Sequence, residues 1–240
     1  MTEHGTHEDA TQFWNQRYGE KEQIWSGRVN QQLADIAATL TPGTALDLGA
    51  GEGGDAIWLA GHGWQVTAVD IAETALSRAA TAAAQAGMAD RIDFRRHDLA
   101  IDFPAGSFDL VSAQYLHSPV EFPRAAVLQR AAAAVARGGR LLIVDHAAPP
   151  PWAKAHQHAA AAENAAVNDG ENDGENDGEN GRNAHQLPDL PALSETFESL
   201  ELDPAQWVVE RCEEVERVAT GPDGVTGTLL DNVILARRVG

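Results

Sequence analysis

The stretch "TALDLGAGEGGDAIWLAGHGWQVTAVD", residues 44–70, decides how the rest of this chain must fold. It predicts an apolar strand, a glycine-rich turn, a helix over 54–62 and a second strand over 66–69 that ends at Asp70. The turn has G-x-G-x-x-G spacing, and glycine lets the backbone approach a ligand closely because it has no Cβ. An acid that closes the second strand can accept hydrogen bonds from both hydroxyls of a ribose. The stretch therefore indicates a ligand that contains adenosine.

Strands and helices alternate along most of the chain around this stretch. The pattern predicts helices over 31–40, 71–87, 118–137 and 188–202, and strands over 91–96, 108–114 and 140–147, the last after a turn at Gly138-Gly139. Two further strands, 207–219 and 225–239, flank the turn sequence "GPDG" and form a hairpin. The expected fold is therefore α/β, a doubly wound and mostly parallel seven-stranded sheet with a carboxyl-terminal antiparallel hairpin.

Composition excludes several classes of protein. A length of 240 residues fits a single domain, 1–240, and the net charge of −19 argues against nucleic acid or an anionic membrane surface as the partner. No apolar run approaches the ~20 residues that a membrane helix needs. The amino terminus lacks the pattern of a signal peptide, and the single cysteine, Cys212, fits a reducing compartment. We expect a cytoplasmic protein without a membrane partner.

Residues 152–187 interrupt the α/β pattern and carry three tandem NDGE tetrads over 168–179. Their low hydrophobicity predicts a disordered acidic insertion. The alternating oxygen side chains are similar to those of a calcium-binding loop, but the bidentate glutamate at its twelfth position is missing. Asn180 and Ala184 stand there in the two registers. We therefore predict a solvated linker and no metal site.

Asp47 distinguishes between the cofactors that a glycine-rich turn could hold. It lies two residues before Gly49, where an acid would repel a pyrophosphate but attract a positively charged ligand. S-adenosylmethionine carries a sulfonium and an ammonium group. The helix predicted before the first strand and the terminal hairpin also differ from the usual dehydrogenase pattern. These features favour S-adenosylmethionine over a nicotinamide dinucleotide.

Five motifs, in order, resemble those of the class I S-adenosylmethionine-dependent methyltransferases. They are "LDLGAGEG", "VTAVD", "RRHDL", "FDLVSAQYLH" and "GGRLLIVD", and the resemblance covers residues 13–146 and 205–239. The leading segments "FWNQRY" and "IWSGRVN" are most similar to the branch that contains tellurite-resistance and thiopurine-type methyltransferases.

The resemblance implies a cofactor site built from nine residues. Asp70 should take the ribose hydroxyls, or else cap the following helix. Asp98 should accept from the adenine amino group, or else be an ordinary loop acid. The full set of expected cofactor residues is Asp47, Gly49, Ala50, Gly51, Asp70, Ile71, Asp98, Leu99 and Gln114.

The acceptor should bind beyond the carboxyl ends of the strands, where ligands of open α/β sheets lie. His117 is the candidate base there, and Tyr115 could form a wall of the site. Trp25, Arg28 and His146 are the candidate substrate residues. The lead-in, residues 1–30, could close over the cofactor as a lid or simply anchor the amino terminus.

The expected activity is in-line methyl transfer to a small-molecule acceptor, which could be a thiol or another soft nucleophile. Two alternatives remain open at this point. One is an NAD(P)-dependent oxidoreductase on a Rossmann fold, and the other is a non-catalytic protein that binds a cofactor or a partner. The sequence does not specify an oligomeric state.

Overall fold

The structure is a computed structural model that describes residues 4–149, 190–221, 224 and 226–240. The expected insertion at 152–187 lies outside these residues. Helices are α1 (His4–Gly19), α2 (Gln31–Ala37), α3 (Gly54–Gly61), α4 (Glu73–Gln85), α5 (Arg124–Ala133) and α6 (Leu193–Ser199). Strands are β1 (Thr44–Leu48), β2 (Gln65–Asp70), β3 (Ile92–Arg96), β4 (Phe108–Gln114), β5 (Val135–His146), β6 (Trp207–Thr220) and β7 (Thr226–Arg238).

The seven strands form one sheet in the order β3-β2-β1-β4-β5-β7-β6. Neighbours from β3 to β5 are parallel, whereas β7 runs antiparallel to both β5 and β6. This arrangement confirms the predicted doubly wound sheet with its terminal hairpin. The strand order reverses at β1, so the carboxyl ends of β1 and β4 border the crevice in which such sheets bind ligands.

The two faces of the sheet are covered by different helices. Side chains of successive strand residues point to opposite faces, and the buried apolar residues divide accordingly. One face packs on Leu33 of α2 and Leu59 of α3, and we call it the α2–α3 face. The other packs on Leu128 of α5 and Phe197 of α6, and we call it the α5–α6 face. Each functional side chain on a strand can therefore be assigned to a face.

Three elements differ from the sequence predictions. No helix was predicted before residue 31, yet α1 forms because Trp14 and Tyr18 pack beside Ala72 and Ala75 at the start of α4. The helix predicted over 118–137 begins only at Arg124, since prolines precede it.

The third difference concerns β5, which starts at Val135 and passes through the glycine pair that predicted a turn. The register with β4 shifts between Phe108 and Leu110 at this point. A Cβ on Gly139 would lie 2.9 Å from the carbonyl oxygens of Phe108 and Asp109. Glycine therefore serves the close approach of two strands here and not a chain reversal.

Candidate functional site

The glycine-rich turn has the backbone geometry that its sequence predicts. Gly49 and Gly51 have φ values of 70° and 53°, a left-handed conformation that favours glycine. A Cβ on Gly49 would meet Leu116 at 2.7 Å, so the loop after β4 lies directly against the turn. The amide of Ala50 donates to the carbonyl of Val69, which ties the turn to the end of β2.

Three carboxyl groups surround this turn on the α2–α3 face. Asp47 is buried on β1, and among the described residues Oδ2 has no hydrogen-bond partner. Burial, and then the charges of Asp55 and Asp70, raise the pKa of Asp47 well above its ordinary value. Burial also raises the pKa of Asp55 to about 6, against the opposing effect of a hydrogen bond from the amide of Asn30. Three acidic side chains thus interact with one another at this turn.

Asp70, at the end of β2, has hydrogen bonds to both oxygens. Oδ2 accepts from the amide of Gly51 and Oδ1 from the amide of Ala72, each at 2.8 Å. Burial raises the pKa of this carboxyl, and the backbone bonds offset only part of that rise. Asp70 therefore braces the turn, and each of its oxygens can accept a further hydrogen bond.

The predicted adenine contacts lie on the loop that follows β3. Oδ1 of Asp98 accepts from the amide of Ala100 at 3.0 Å, and Leu99 is buried. The carbonyl of Ile71, after β2, accepts from Arg96 at 3.3 Å. Ile71 and Asp98 thus follow neighbouring strands of the sheet, on the ligand side of β2 and β3.

Residues 24–30, which we call the strap, cross the turn and are held by acids that follow the glycines. Glu52 accepts from the amides of Ile24 and Trp25 at 2.9–3.2 Å and from Arg78 at 2.9 Å. The indole of Trp25 donates to the hydroxyl of Tyr18 at 3.0 Å. A Cβ on Gly51 would meet that hydroxyl at 2.9 Å and the indole at 3.4 Å.

The strap therefore places one predicted substrate residue over the turn. Trp25 is 53% exposed although its backbone is fixed, so its ring borders solvent and the site together. Arg28 is exposed, and the strap carbonyl at this residue lies near Gly54. Sequence analysis did not identify Glu52, because its hydrogen-bond partners are 26–28 residues away. An acid between the glycines of "GEGG" could have indicated a structural role.

Beyond β4, His117 borders a cavity of about 550 Å³ that opens on the α5–α6 face. Nε2 of His117 lies 2.9 Å from Oδ1 of Asp145 without the alignment of a hydrogen bond. Arg124 donates to the other oxygen of Asp145 at 2.5 Å and to the carbonyl of Leu116 at 3.0 Å. Asp145 is therefore the buried centre of a small charge cluster beside the cavity.

A second cluster joins Tyr115 and His146 to two residues that sequence analysis missed. Asp231 of β7 accepts from Arg217 at 2.5 Å, from the hydroxyl of Tyr115 at 3.0 Å and from Nδ1 of His146 at 3.1 Å. The rings of Tyr115 and His146 stack with centroids 4.2 Å apart. Asp231 interrupts the apolar run "TLLDNVIL", and a buried acid needs polar partners, so the sequence could have indicated a functional or structural role for it.

Gln114 lies at the end of β4 between the turn and this second cluster. Nε2 of Gln114 donates to Ser112 at 2.8 Å, while Oε1 is buried without a partner among the described residues. The unpartnered oxygens of Gln114 and Asp47 are both hydrogen-bond acceptors, and the two residues lie on the same face of the sheet. Two such acceptors fit the cationic S-adenosylmethionine and do not suit a pyrophosphate.

The described part of the chain gives no indication of a membrane-spanning helix or a metal site. None of its helices is both long and apolar enough to cross a membrane. It brings together no group of three or more histidine, cysteine or acidic side chains that could hold a metal ion.

Comparison with known proteins identifies the central part of the chain. Residues 45–139 match the family described as a methyltransferase domain. A curated relative, ribosomal RNA small subunit methyltransferase C of Alcanivorax borkumensis, is 41% identical over 51 residues. That match covers 21% of this chain and spans only 16% of the length of the relative.

Solved structures support the fold across nearly the whole chain. One similar structure was solved in a study of the conversion of a disulfide bond into a thioacetal group during echinomycin biosynthesis. The alignment covers 97% of this chain and 92% of that protein. Its TM-score is 0.66 at 22% identity. A second similar structure is magnesium protoporphyrin IX methyltransferase from Synechocystis PCC 6803, solved with bound S-adenosylhomocysteine. The alignment covers 95% of this chain and 94% of that protein, with a TM-score of 0.57 at 18% identity. Residues 45–139 are therefore similar to a methyltransferase domain, and the solved structures share the fold of the chain.

Proposed function

We propose that this protein transfers a methyl group from S-adenosylmethionine to a small-molecule acceptor. The observation that carries the proposal is the buried carboxyl of Asp47, whose Oδ2 has no hydrogen-bond partner among the described residues, beside Asp55 and Asp70. Three neighbouring acids at a glycine-rich turn are costly, and a positively charged ligand would lower that cost. The nine cofactor residues expected from the sequence remain our assignment for that ligand.

S-adenosylmethionine, when bound, supplies an electrophilic methyl group on a sulfonium and leaves as a neutral thioether. The protein therefore has to provide alignment and exclude water. Good alignment of two reactants contributes on the order of 7–11 kcal/mol to lowering a barrier. We assign the ribose to Asp70, the amino-acid part to the turn near Asp47, and the adenine to Asp98 and Leu99. Trp25 and Arg28, on the strap, are placed to cover the bound molecule.

A small acceptor is favoured by charge. The chain carries a net charge of −19, which disfavours a polyanionic acceptor such as RNA. Tyr115 and His117 follow the carboxyl end of β4, and His146 is the last residue of β5, so all three lie where we expect the acceptor.

Two acceptor classes are compatible with this chemistry. Thiols and other soft nucleophiles need no base, and the tellurite-resistance and thiopurine-type branch suggested by the sequence favours them. Hydroxyl and nitrogen acceptors need a base, for which the proposal has two candidates, His117 and His146.

The proposal is tested by isothermal titration with S-adenosylmethionine, S-adenosylhomocysteine and NAD. We expect micromolar binding of the two sulfur ligands and none of NAD. Asp70→Ala should weaken binding at least ~10-fold, because it removes two charge-assisted hydrogen bonds. Asp90→Asn is the matched control, since Asp90 is exposed at the opposite end of the sheet, before β3.

Each alternative function has its own outcome in the same titration. Binding of NAD in preference to both sulfur ligands would support an oxidoreductase. Tight binding of S-adenosylmethionine without turnover on a broad acceptor panel would support a non-catalytic binding protein. Equal binding by wild type and Asp70→Ala would show that the cofactor lies elsewhere.

A further inference from the structure

The dipeptide Asp145-His146 at the end of β5 takes part in two different Asp–His pairs. Because neighbouring strand residues point to opposite faces, Asp145 turns towards α5 and α6 while His146 turns to the α2–α3 face. Asp145 contacts His117, whereas His146 is bonded to Asp231. Two imidazoles are thus each paired with a buried carboxyl, on opposite sides of one sheet.

Only one of these imidazoles shares a face with Asp47 and Asp70, whereas Leu99, also expected at the cofactor, packs on the α5–α6 face. The alternation of strand residues places Asp47 with Ala45, Asp70 with Ala68 and Val66, and His146 with Val144, all on the α2–α3 face. Asp231 is the direct cross-strand partner of His146 and lies on that face too. A polar row therefore runs across the carboxyl ends of the strands, from β2 through β1, β4 and β5 to β7.

The bond to Asp231 determines the protonation pattern of His146. Burial opposes ionisation of Asp231, but hydrogen bonds from His146 and Arg217 outweigh it and hold the pKa of this carboxyl below its ordinary value. An ionised carboxylate only accepts hydrogen bonds, so Nδ1 of His146 must donate. The neutral ring then carries its lone pair on Nε2, the nitrogen that can take a proton.

The surroundings of His146 keep this nitrogen available. Among the described residues no hydrogen-bond partner lies at Nε2, and the side chain is 26% exposed. Tyr115 has φ of 51°, which turns its ring onto the stack with His146, and its hydroxyl accepts from Arg217. The Nε2 of His117, in contrast, is buried against Asp145 in a side chain only 9% exposed.

We propose that His146 is the general base of the methyl transfer and that the acceptor is a hydroxyl or nitrogen compound that must lose a proton. Asp231, Arg217 and Tyr115 are positioning residues that fix its tautomer and orientation. The inference rests on the proposed function and reassigns the base from His117 to the imidazole on the cofactor face. Rotation of the ring is opposed by its stack on Tyr115 and by its bond to Asp231.

The proposed step balances without another reactant. The acceptor oxygen or nitrogen attacks the methyl carbon, a new bond to carbon forms, and the carbon–sulfur bond breaks with its electron pair going to sulfur. The acceptor proton passes to Nε2 of His146, which becomes an imidazolium held by Asp231. Release of that proton to water restores the base.

The test compares acceptors that differ in whether a proton has to be removed. Wild type, His146→Gln and His117→Gln are assayed at neutral pH for S-adenosylhomocysteine formation with phenol, 4-nitrophenol and thiophenol. We expect turnover with phenol, and a fall in kcat of about 100-fold or more in His146→Gln. The loss should be smaller with 4-nitrophenol, which is already partly ionised at this pH. His62→Gln, at an exposed histidine after α3, is the matched control.

Several outcomes would overturn the proposal. Turnover restricted to thiols, equal losses on both phenols, or a larger loss in His117→Gln than in His146→Gln would each exclude His146 as the base. Nitrogen-detected NMR gives a readout without an acceptor: an Nε2–H tautomer in wild type contradicts the proposal, and Asp231→Asn should shift the tautomer away from Nδ1–H. Absence of S-adenosylmethionine binding would instead reject the proposed function.

Discussion

The three carboxyl groups at the glycine-rich turn differ in how many of their oxygens are paired. Both oxygens of Asp70 accept backbone hydrogen bonds, Oδ1 of Asp55 accepts from Asn30 at 2.6 Å, and Asp47 has a buried orphan oxygen. Asp55 and Asp70 raise the pKa of Asp47, so the charges of the three groups oppose one another. At the scale of single residues, a bound cation would relieve this repulsion, as the proposed cofactor requires.

The first prediction concerns the pH dependence of cofactor binding. Burial raises the pKa values of Asp47 and Asp70, and at Asp47 the charges of Asp55 and Asp70 add to the rise, so both groups become protonated at a higher pH than ordinary carboxyls. Acidification should therefore weaken S-adenosylmethionine binding. Asp47→Asn should lower affinity by ~10-fold near neutrality and flatten the pH dependence, measured by titration calorimetry from pH 5 to pH 8. A parallel pH dependence in the variant and wild type would contradict it.

The second prediction concerns stability. Asp55 has a pKa of about 6 in place of 3.8, so between these values the folded protein holds a proton that the unfolded chain has released. Stability should fall as the pH rises through that window. Asp55→Asn keeps an acceptor for Asn30 and should be more stable than wild type at pH 7, by on the order of 1 kcal/mol. The difference should vanish below pH 3.8 in urea unfolding, and a destabilised variant at pH 7 would contradict the assignment.

At the scale of elements, the strap and β5 show how local segments form the site. The strap has no helix or strand of its own, and Glu52 supplies acceptors for its amides. Segments with few buried contacts depend on such bonds for their order. Strand β5 instead depends on glycine, because its register shift brings its backbone against β4.

The third prediction tests how the strap is held. Glu52→Gln removes the charge that pairs with Arg78 and weakens acceptance from the amides of Ile24 and Trp25. Hydrogen exchange at these two amides should accelerate by about tenfold, while exchange in the sheet stays unchanged. Glu73→Gln, in the exposed first turn of α4, is the control. Unchanged exchange at the strap would show that Glu52 does not hold it.

The fourth prediction tests the irregularity in β5. Gly139→Ala should destabilise the fold by about 1–3 kcal/mol, because the new Cβ would press on two carbonyl oxygens of β4. Gly61→Ala, at the end of α3, has nothing within 4 Å and should be neutral or slightly stabilising. Urea unfolding of both variants measures the difference. Equal stabilities would contradict the strained contact.

At the scale of the whole molecule, local sequence patterns predicted the strands of the sheet, but they did not predict contacts between residues far apart in the sequence. The apolar run at 108–114 became β4 with the same bounds, and Asp70 ends β2 as predicted. Asp231 and Arg217 could not be placed, because their partner Tyr115 is more than 100 residues away and the register of the hairpin joins them. Helix α1 was not predicted, because it is stabilised by packing beside the start of α4 and has no clear apolar periodicity of its own.

The central claim is our proposal that the acidic side chains at the carboxyl ends of β1 and β2 bind S-adenosylmethionine. A crystal structure with S-adenosylhomocysteine tests it most directly. The account predicts the ribose hydroxyls within hydrogen-bond distance of Asp70 and the amino group on the acidic side of the turn, near Asp47. A ligand bound away from both carboxyls, or a site that accepts only a dinucleotide, would contradict the account.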